Sequence, residues 1–503
     1  MPEYEPTIGL EVHVELKTKT KMFCDSLNDP NEKHPNLNVC PVCMGHPGTL
    51  PVINQEAIQK LVKVGLALNC QIPEFSKFDR KNYFYPDIPK GYQISQYDLP
   101  LCKSGWLELK NGKRIDIERI HMEEDTGRLQ HSSDGKHSLV DFNRAGVPLI
   151  ELVTRPDIKS GEEIEEFAKE LRLILRYLDA SDANMEKGQM RVEVNISVKP
   201  LGSEKLGTKV EIKNINSIKA AAAASDYEIT RQTQLLESGG KLVQETRGWD
   251  ENKSCTFSQR IKEGSADYRY FPEPDLPPLR FTKDKIEEIR LGLPELPEQR
   301  RKRFKKSYGL NDAQTEVFTI AKHLGNYYER VASELDIAAK DEHASKGLED
   351  ENPVGEKHLP IKLHSLAANY IITEFPPLFQ MQGLEINDME GIRIEPEAFA
   401  ELMIMIFHQK LNSNNAKVVL KRMAETGLHP EAIVKETGLE QVSNTAELEK
   451  AVDEIIAKNP KAVEDYKKGK VESIKFLTGQ VMAATRGTAN PQVVSQILEQ
   501  KLR

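Results

Sequence analysis

The sequence predicts an α+β protein in three parts: a mixed-sheet domain over residues 1–292, an all-α helical domain over 293–400, and a small helical tail over 401–503. Three observations carry this reading. Alternation of apolar and polar residues, the mark of a half-buried strand, recurs through the first part and then stops. At residues 293–297 (LPELP) the texture changes to helical periodicity with almost no strand signal. The last 103 residues hold fifteen Lys and Arg against thirteen Asp and Glu, whereas the whole chain holds 69 against 78, a net charge of −9. The tail is therefore charged differently from the body.

The elements follow in order. Residues 8–16 (IGLEVHVEL) alternate for nine positions, so Glu11, His13 and Glu15 share one strand face while Leu10, Val12 and Val14 share the other. Residues 55–68 place Ile58, Leu61, Val62 and Leu66 at helical spacing. Residues 79–96 (DRKNYFYPDIPKGYQISQ) interleave cations with aromatics around two prolines, which reads as a structured loop with a binding task. A second amphipathic helix covers 162–178, strands are predicted at 191–198 and 209–213, and an Ala-rich helix over 218–236 is closed by Gly239 and Gly240. In the helical part, residues 300–306 (RRKRFKK) read as a solvated basic helix face, and the charged, aromatic-free stretch 340–359 as a solvated loop or insertion. Beyond residue 395 the helices are short, broken at Gly427, Gly438, Pro460 and Gly469.

Composition narrows the function. With 39% hydrophobic and 29% charged residues in 503, the chain is globular. It has no apolar run of the roughly 18 residues a membrane span needs and no secretory signal at residues 1–10, so a cytoplasmic protein without membrane contact is expected. Six cysteines in that setting read as thiols or a metal site rather than disulfides. GxSxG, GxxxxGK[ST] and GxGxxG are all missing, which removes the usual support for elbow hydrolases, P-loop NTPases and dinucleotide enzymes.

The residues that can carry chemistry are mostly acidic. Glu11, His13 and Glu15 on one strand face form either a wetted sheet surface or donors suited to a divalent ion such as Mg²⁺. Residues 119–127 (RIHMEEDTG) add His121, Glu123, Glu124 and Asp125, a set whose mutual repulsion calls for solvent or cations. Residues 214–217 (NINS) open the Ala-rich helix, where polar side chains cap backbone N–H groups or the N–H groups receive an anion. Cys40 and Cys43, with Cys24 upstream, offer three thiolates, one short of a closed tetrahedral zinc site.

The strings GLEVHVEL, CPVCMGHPGTLPVIN, DRKNYFYPDIPKGYQISQYDLPL, HMEEDTG, DFNRAGVPLIELVT, EIKNINS, ETRGWDE and GSADYRYFPEPDLPPL resemble the B-subunit family of tRNA-dependent amidotransferases, GatB of the GatCAB complexes, over nearly the whole chain. The tail resembles that family's YqeY-like domain. The resemblance implies that the first part is a catalytic cradle domain. Its task would be phosphorylation by ATP, with Mg²⁺, of the side-chain carboxylate of Glu-tRNA(Gln), Asp-tRNA(Asn) or both. Amidation would follow, with ammonia released from glutamine by an A subunit, a small C subunit completing a heterotrimer.

Carried over position by position, the resemblance implies catalytic roles for Glu11, His13, Glu123, Glu124 and Lys81, with Glu11, His13 and Glu124 as Mg²⁺ ligands and Glu151 a further candidate. Arg80, Tyr83, Lys90 and Glu193 would border the pocket or ammonia route, Lys213, Asn214 and Asn216 would meet phosphate, and Lys467, Lys468, Lys470 and Arg486 would grip tRNA. Two positions depart from the family pattern. Ser26 stands where zinc-holding members have a cysteine, which removes one ligand of a four-thiolate site formed with Cys24, Cys40 and Cys43. Glu193 replaces an Asp, lengthening that arm by one CH₂. The alternative from another class is a non-catalytic tRNA-binding scaffold subunit, against which the concentrated carboxylates argue.

Overall fold

The computed structural model describes residues 4–261, 267–345, 358–384, 389, 391–439, 445–467, 470, 472–485, 489 and 491–502. It divides into two compact units, Met1–Pro297 and Glu298–Arg503.

In the first unit the chain runs β1 (Tyr4–Glu15), α1 (Gln55–Ala67), β2 (Phe75–Ser76), β3 (Asp79–Asn82), β4 (Tyr92–Ser95), β5 (Cys102–Glu108) and β6 (Arg114–Glu124). It continues through β7 (Arg128–His131), β8 (Ser138–Asp141), β9 (Pro148–Thr154), α2 (Gly161–Tyr177), β10 (Met190–Pro200) and β11 (Val210–Lys213). It ends with α3 (Ile218–Glu237), β12 (Glu245–Asp250), β13 (Cys255–Ile261), β14 (Phe271–Pro272), β15 (Leu279–Arg280) and α4 (Lys283–Leu291). Eight strands form one sheet in the order β13-β12-β11-β10-β1-β9-β6-β5, antiparallel except for the β11–β12 pair. Residues 79–96, expected as a loop, instead contain two short strands: β3 and β4 pair with each other, and β14 closes them into a small sheet.

Period two sets what each face of the main sheet does. Ile8, Leu10, Val12 and Val14 of β1 are at most 1% exposed and share one core with Ile150 and Leu152 of β9, Ile120 and Met122 of β6, and the apolar stripes of α1, α2 and α3. The helices hold because their starts are capped: the side chains of Asn54, Ser160 and Ser217 accept from the first-turn N–H groups of α1, α2 and α3. With one face sealed by helices, the polar alternates of β1, β6, β9 and β10 lie on the other.

The second unit is helical throughout its described residues: α5 (Pro297–Tyr308), α6 (Asp312–Ile320), α7 (Lys322–Ser345), α8 (His358–Gln382), α9 (Pro396–Phe407), α10 (Ser413–Thr426), α11 (Pro430–Thr437), α12 (Thr445–Lys458), α13 (Pro460–Lys467), α14 (Glu472–Ala484) and α15 (Pro491–Leu502). One core runs from Phe304 to Val434 and a second, smaller one from Leu448 to Leu502. The division drawn at 400/401 cuts helix α9 between two buried residues, Ala400 and Leu402, so the first core passes through it. The stretch 340–359 begins as the last turn and a half of α7, and residues 346–357 lie outside the described residues.

Candidate active site

The register of three neighbouring strands builds the site. Residue 13 of β1 stands opposite residue 151 of β9, which stands opposite residue 121 of β6, so His13, Glu151 and His121 form a row across the sheet. The flanking alternates Glu11 and Glu123 point the same way. His13 Nε2 lies 3.4 Å from Glu151 Oε2 and 3.8 Å from carboxylate oxygens of both Glu11 and Glu123. His121 Nε2 lies 3.5 Å from Glu151 Oε2. These side chains line a cavity of about 1540 Å³ that Lys81, Tyr83, Arg191, Glu193, Lys213, Asn214 and Asn216 also face.

Burial and charge divide the protons among these groups. Burial works against the His13 imidazolium, but its bond to Glu151 and the charges of Glu123 and Glu151 raise it to about 9. Burial would also raise Glu151, yet His121, His13 and Lys81 hold its carboxyl well below the usual range. Glu123, fully buried, is pushed up to about 7 against the pull of Lys81. Burial takes His121 down to about 4, so it is neutral near pH 7, and its Nδ1 is buried without a partner. Burial works against the Lys81 ammonium, but Glu123, Tyr270 and Glu151 together hold it above its ordinary value.

The donor set fits a divalent cation. Ligand atoms of Glu11, His13 and Glu151 lie within 4.8 Å of one another, as do those of His121, Glu123 and Glu151, and of Glu11, Glu193 and Glu211. Carboxylate oxygens with one imidazole suit Mg²⁺ or Mn²⁺, and the unpartnered Nδ1 of His121 shows that the hydrogen bonding here is unfinished in the chain alone.

Several expected members lie elsewhere. Glu124 points away from the cavity: Lys90 Nζ bonds both its oxygens, 2.6 Å from Oε2, and the Ile94 N–H donates to Oε1 at 2.9 Å. Glu124 is thus not grouped with Glu11 and His13, and Lys90 is its counter-charge rather than a cavity residue. The reason is the pleat, which sends consecutive residues of β6 to opposite faces. Arg80, beside Lys81 on β3, likewise turns away into a two-point bond with Glu273 (2.7 and 2.8 Å), its guanidinium 4.3 Å from the Tyr92 ring centre. Lys213 bonds Glu193 at 2.6 Å, while Ser217, not Asn214 or Asn216, caps α3. In the tail, Lys470 reaches Asp465 at 3.3 Å and Lys467 ends α13; Lys468 and Arg486 lie outside the described residues.

Other cavity residues escaped sequence reasoning: Gln93, Gln96, Tyr97, Arg144, Glu211, Tyr268 and Tyr270. Arg144 and Arg191 flank Asp125 and hold it below its ordinary value despite burial, while Glu15 beside it is pushed up to about 8, chiefly by burial. The cavity residues that escaped all fall inside the strings that carry the family resemblance, but no residue type or spacing there singles them out.

The thiols gather away from this row. Cys24, Cys40 and Cys43 bring their sulfurs within 4.8 Å of one another. Ser26 Oγ and the fully buried Lys21 Nζ each lie 3.8 Å from Cys43 Sγ. Cys70 and Cys102 sit in the hydrophobic core. Three sulfurs, a hydroxyl and an ammonium do not fit a closed four-thiolate zinc site.

A family model described as the GatB/GatE catalytic domain matches residues 6–287, and one described as the GatB domain matches residues 360–502. The B subunit of the aspartyl/glutamyl-tRNA(Asn/Gln) amidotransferase from Carboxydothermus hydrogenoformans is 48% identical over 508 residues, spanning 100% of this chain and 99% of the relative. The protein of the same name from Caldicellulosiruptor bescii is 47% identical over 504 residues, spanning 99% of each, and that from Dehalococcoides mccartyi 44% over 508, spanning 100% and 99%. The full-length agreement, with the catalytic-domain match falling on the unit that carries the carboxylate and imidazole row, means that this chain belongs to the GatB/GatE family.

Proposed function

We propose that this chain is the B subunit of a tRNA-dependent amidotransferase, converting Glu on tRNA(Gln), Asp on tRNA(Asn) or both to the amide in protein biosynthesis. The observation that carries the reading is the His13–Glu151–His121 row, with Glu11 and Glu123, facing one large polar cavity. A free carboxylate has no good leaving group; ATP, bound with a divalent cation, supplies the phosphoryl group that gives it one.

The chain's own residues divide the remaining work. Glu11, His13 and Glu151 hold the cation, with Glu123 and the neutral His121 beside them. Lys81 stays charged in its buried setting and offsets negative charge on the reacting groups. Lys213, which pairs with Glu193 and Glu211, lines the same cavity with Asn214 and Asn216, and these three orient phosphate. Tyr83, on the Lys81 side, helps to bound the route by which ammonia arrives from a glutaminase A subunit, a C subunit completing the heterotrimer. Residues 1–297 are the catalytic unit, and the helical tail with Lys467, Lys468, Lys470 and Arg486 grips tRNA. Among the described residues no helix is long and apolar enough to cross a membrane, and the cytoplasm is the place proposed for the reaction.

A scaffold subunit would have no use for this concentration of charge facing a cavity. The test is to purify the chain with its A and C partners and assay amidation of Glu-tRNA(Gln) and Asp-tRNA(Asn) with glutamine and ATP. Amide formation that survives Glu151→Ala unchanged would overturn the assignment.

A further inference from the structure

At the cavity wall Tyr97 and Tyr270 lie ring on ring, centroids 4.2 Å apart and planes 8° from parallel. Tyr270 meets Tyr268 edge to face at 6.0 Å, and Tyr268 meets Tyr83 at 5.8 Å. The four rings therefore form a chain that leads to Lys81, whose Nζ stands 5.0 Å from the Tyr268 ring centre. Although one face of Tyr97 is covered by Tyr270, the residue remains 60% exposed, which leaves its second face open. That ring is not what anchors its loop: the Tyr97 backbone N–H already donates to Asp79 Oδ2 at 3.1 Å.

The platform is held in advance. Asn82 donates its backbone N–H to the Tyr268 carbonyl at 2.9 Å and its side-chain amide to the Arg269 carbonyl at 2.7 Å. Between the two tyrosines Arg269 takes φ +47°, a left-handed conformation that a residue with a Cβ adopts at a cost. Strain of this kind persists where surrounding bonds over-determine it, and it gathers at ligand-binding positions. An open, pre-ordered aromatic face beside a polar cavity is what a flat heteroaromatic ring requires. The cavity, at about 1540 Å³, also exceeds the roughly 300–1,000 Å³ of a pocket for one small ligand, leaving room for a base as well as the reacting groups.

We propose that the open face of Tyr97, backed by Tyr270, stacks an adenine ring whose nucleotide extends toward the carboxylate and imidazole row. The inference rests on the proposed function, which brings two adenines to this cavity: that of ATP and that of the 3′-terminal adenosine of the charged tRNA. A ring face binds any base by its π surface and leaves discrimination to the atoms beyond it.

The test titrates ATP, and separately an acceptor-stem RNA ending in CCA or truncated to CC, against the full chain in complex with its A and C partners. Wild type, Tyr97→Leu and Tyr97→Phe are compared, with melting curves to establish folding. Tyr97→Leu should weaken one ligand by about 5- to 100-fold, the range for removal of one stacking partner, while Tyr97→Phe, which keeps the ring, restores it. Loss confined to ATP identifies the adenine as that of the nucleotide. Loss confined to the CCA end, with the CC end unaffected by the substitution, identifies it as that of tRNA. Wild-type affinity of a folded Tyr97→Leu for both ligands overturns the platform and leaves the proposed function standing. A wild-type complex that binds neither ATP nor the RNA overturns both.

Discussion

Glu123 and Glu124 are consecutive on β6 yet face opposite sides of the sheet: Glu123 lies 3.8 Å from His13 Nε2 in the cavity, while Glu124 is clamped by Lys90 at 2.6 Å behind it. Substituting each should therefore do different things. Glu124→Gln breaks a buried pair and leaves the Lys90 ammonium uncompensated, so it should destabilise the first unit by about 3–5 kcal/mol. Glu123→Gln should lower phosphoryl transfer with a smaller effect on melting. Thermal denaturation and single-turnover assays of both variants separate the roles, and a folded Glu124→Gln that loses only cation affinity would return Glu124 to the metal site.

Glu151 is central because it touches both imidazoles, so Glu151→Gln should weaken divalent-cation affinity by about 10- to 100-fold. Mn²⁺ binding followed by electron paramagnetic resonance reads this without turnover. Equal affinities would remove Glu151 from the ligand set.

The same site predicts a direction with pH. In the cation-free protein His13 is protonated up to about 9, and a metal ligand must lose that proton. Cation affinity should rise from pH 7 toward 9, by at most about tenfold per unit from this group, and level off above. The stability that His13 gains from its carboxylates runs the opposite way. It is fully present below the unfolded-state value near 6.5 and is lost as pH rises through about 9. Cation titrations and melting curves at pH 6.5, 8 and 9.5 check both slopes.

Much of this site is legible in the amino-acid sequence. The alternation in GLEVHVEL puts Glu11 and His13 on one face, and the acidic string HMEEDTG marks a second source of carboxylates. What the string cannot convey is register: nothing local sets residue 13 against 151 and 151 against 121, because pairing depends on the whole sheet. Period two itself separates Glu123 from Glu124, so treating HMEEDTG as one cluster overrides a rule already available. Tyr268 and Tyr270 lie far along the chain from Tyr97, and their approach depends on β14 closing the β3–β4 pair. In the helical unit, texture gives helices but not which of them share a core, so a boundary at 400/401 separates α9 from partners it needs.

The thiol cluster leads to a prediction about metal content. With three sulfurs gathered and the Ser26 hydroxyl and Lys21 ammonium each 3.8 Å from Cys43 Sγ, dialysed protein should hold no zinc bound by four thiolates. The Cys43 thiol is instead lowered to about 4, first by its bond with Cys24 and further by the Cys40 N–H and Lys21. Elemental analysis with X-ray absorption at the zinc edge is decisive: one zinc per chain with four sulfur neighbours would contradict this account.

Where the tail is cut decides whether its role in RNA binding can be measured. Ending the chain at residue 400 removes Leu402, Met403, Leu411, Val419, Leu420, Met423 and Ile433, each at most 2% exposed, from the core that Phe304, Tyr328 and Phe375 also build. Each such side chain contributes about 1.5–3 kcal/mol by burial, so that truncation should unfold or aggregate the helical unit. A chain ending at residue 439 keeps that core whole and removes only the one formed by residues 448–502. Residues 445–503 carry ten Lys and Arg against eight Asp and Glu on a chain of net −9, and phosphate contacts weaken with salt as counterions are taken up again. The 439 truncation, in complex with its partners, should therefore stay folded, bind charged tRNA more weakly and show a flatter dependence of affinity on salt. Equal affinity and equal slope in the full and shortened complexes across a salt series would take the tail out of the RNA interface.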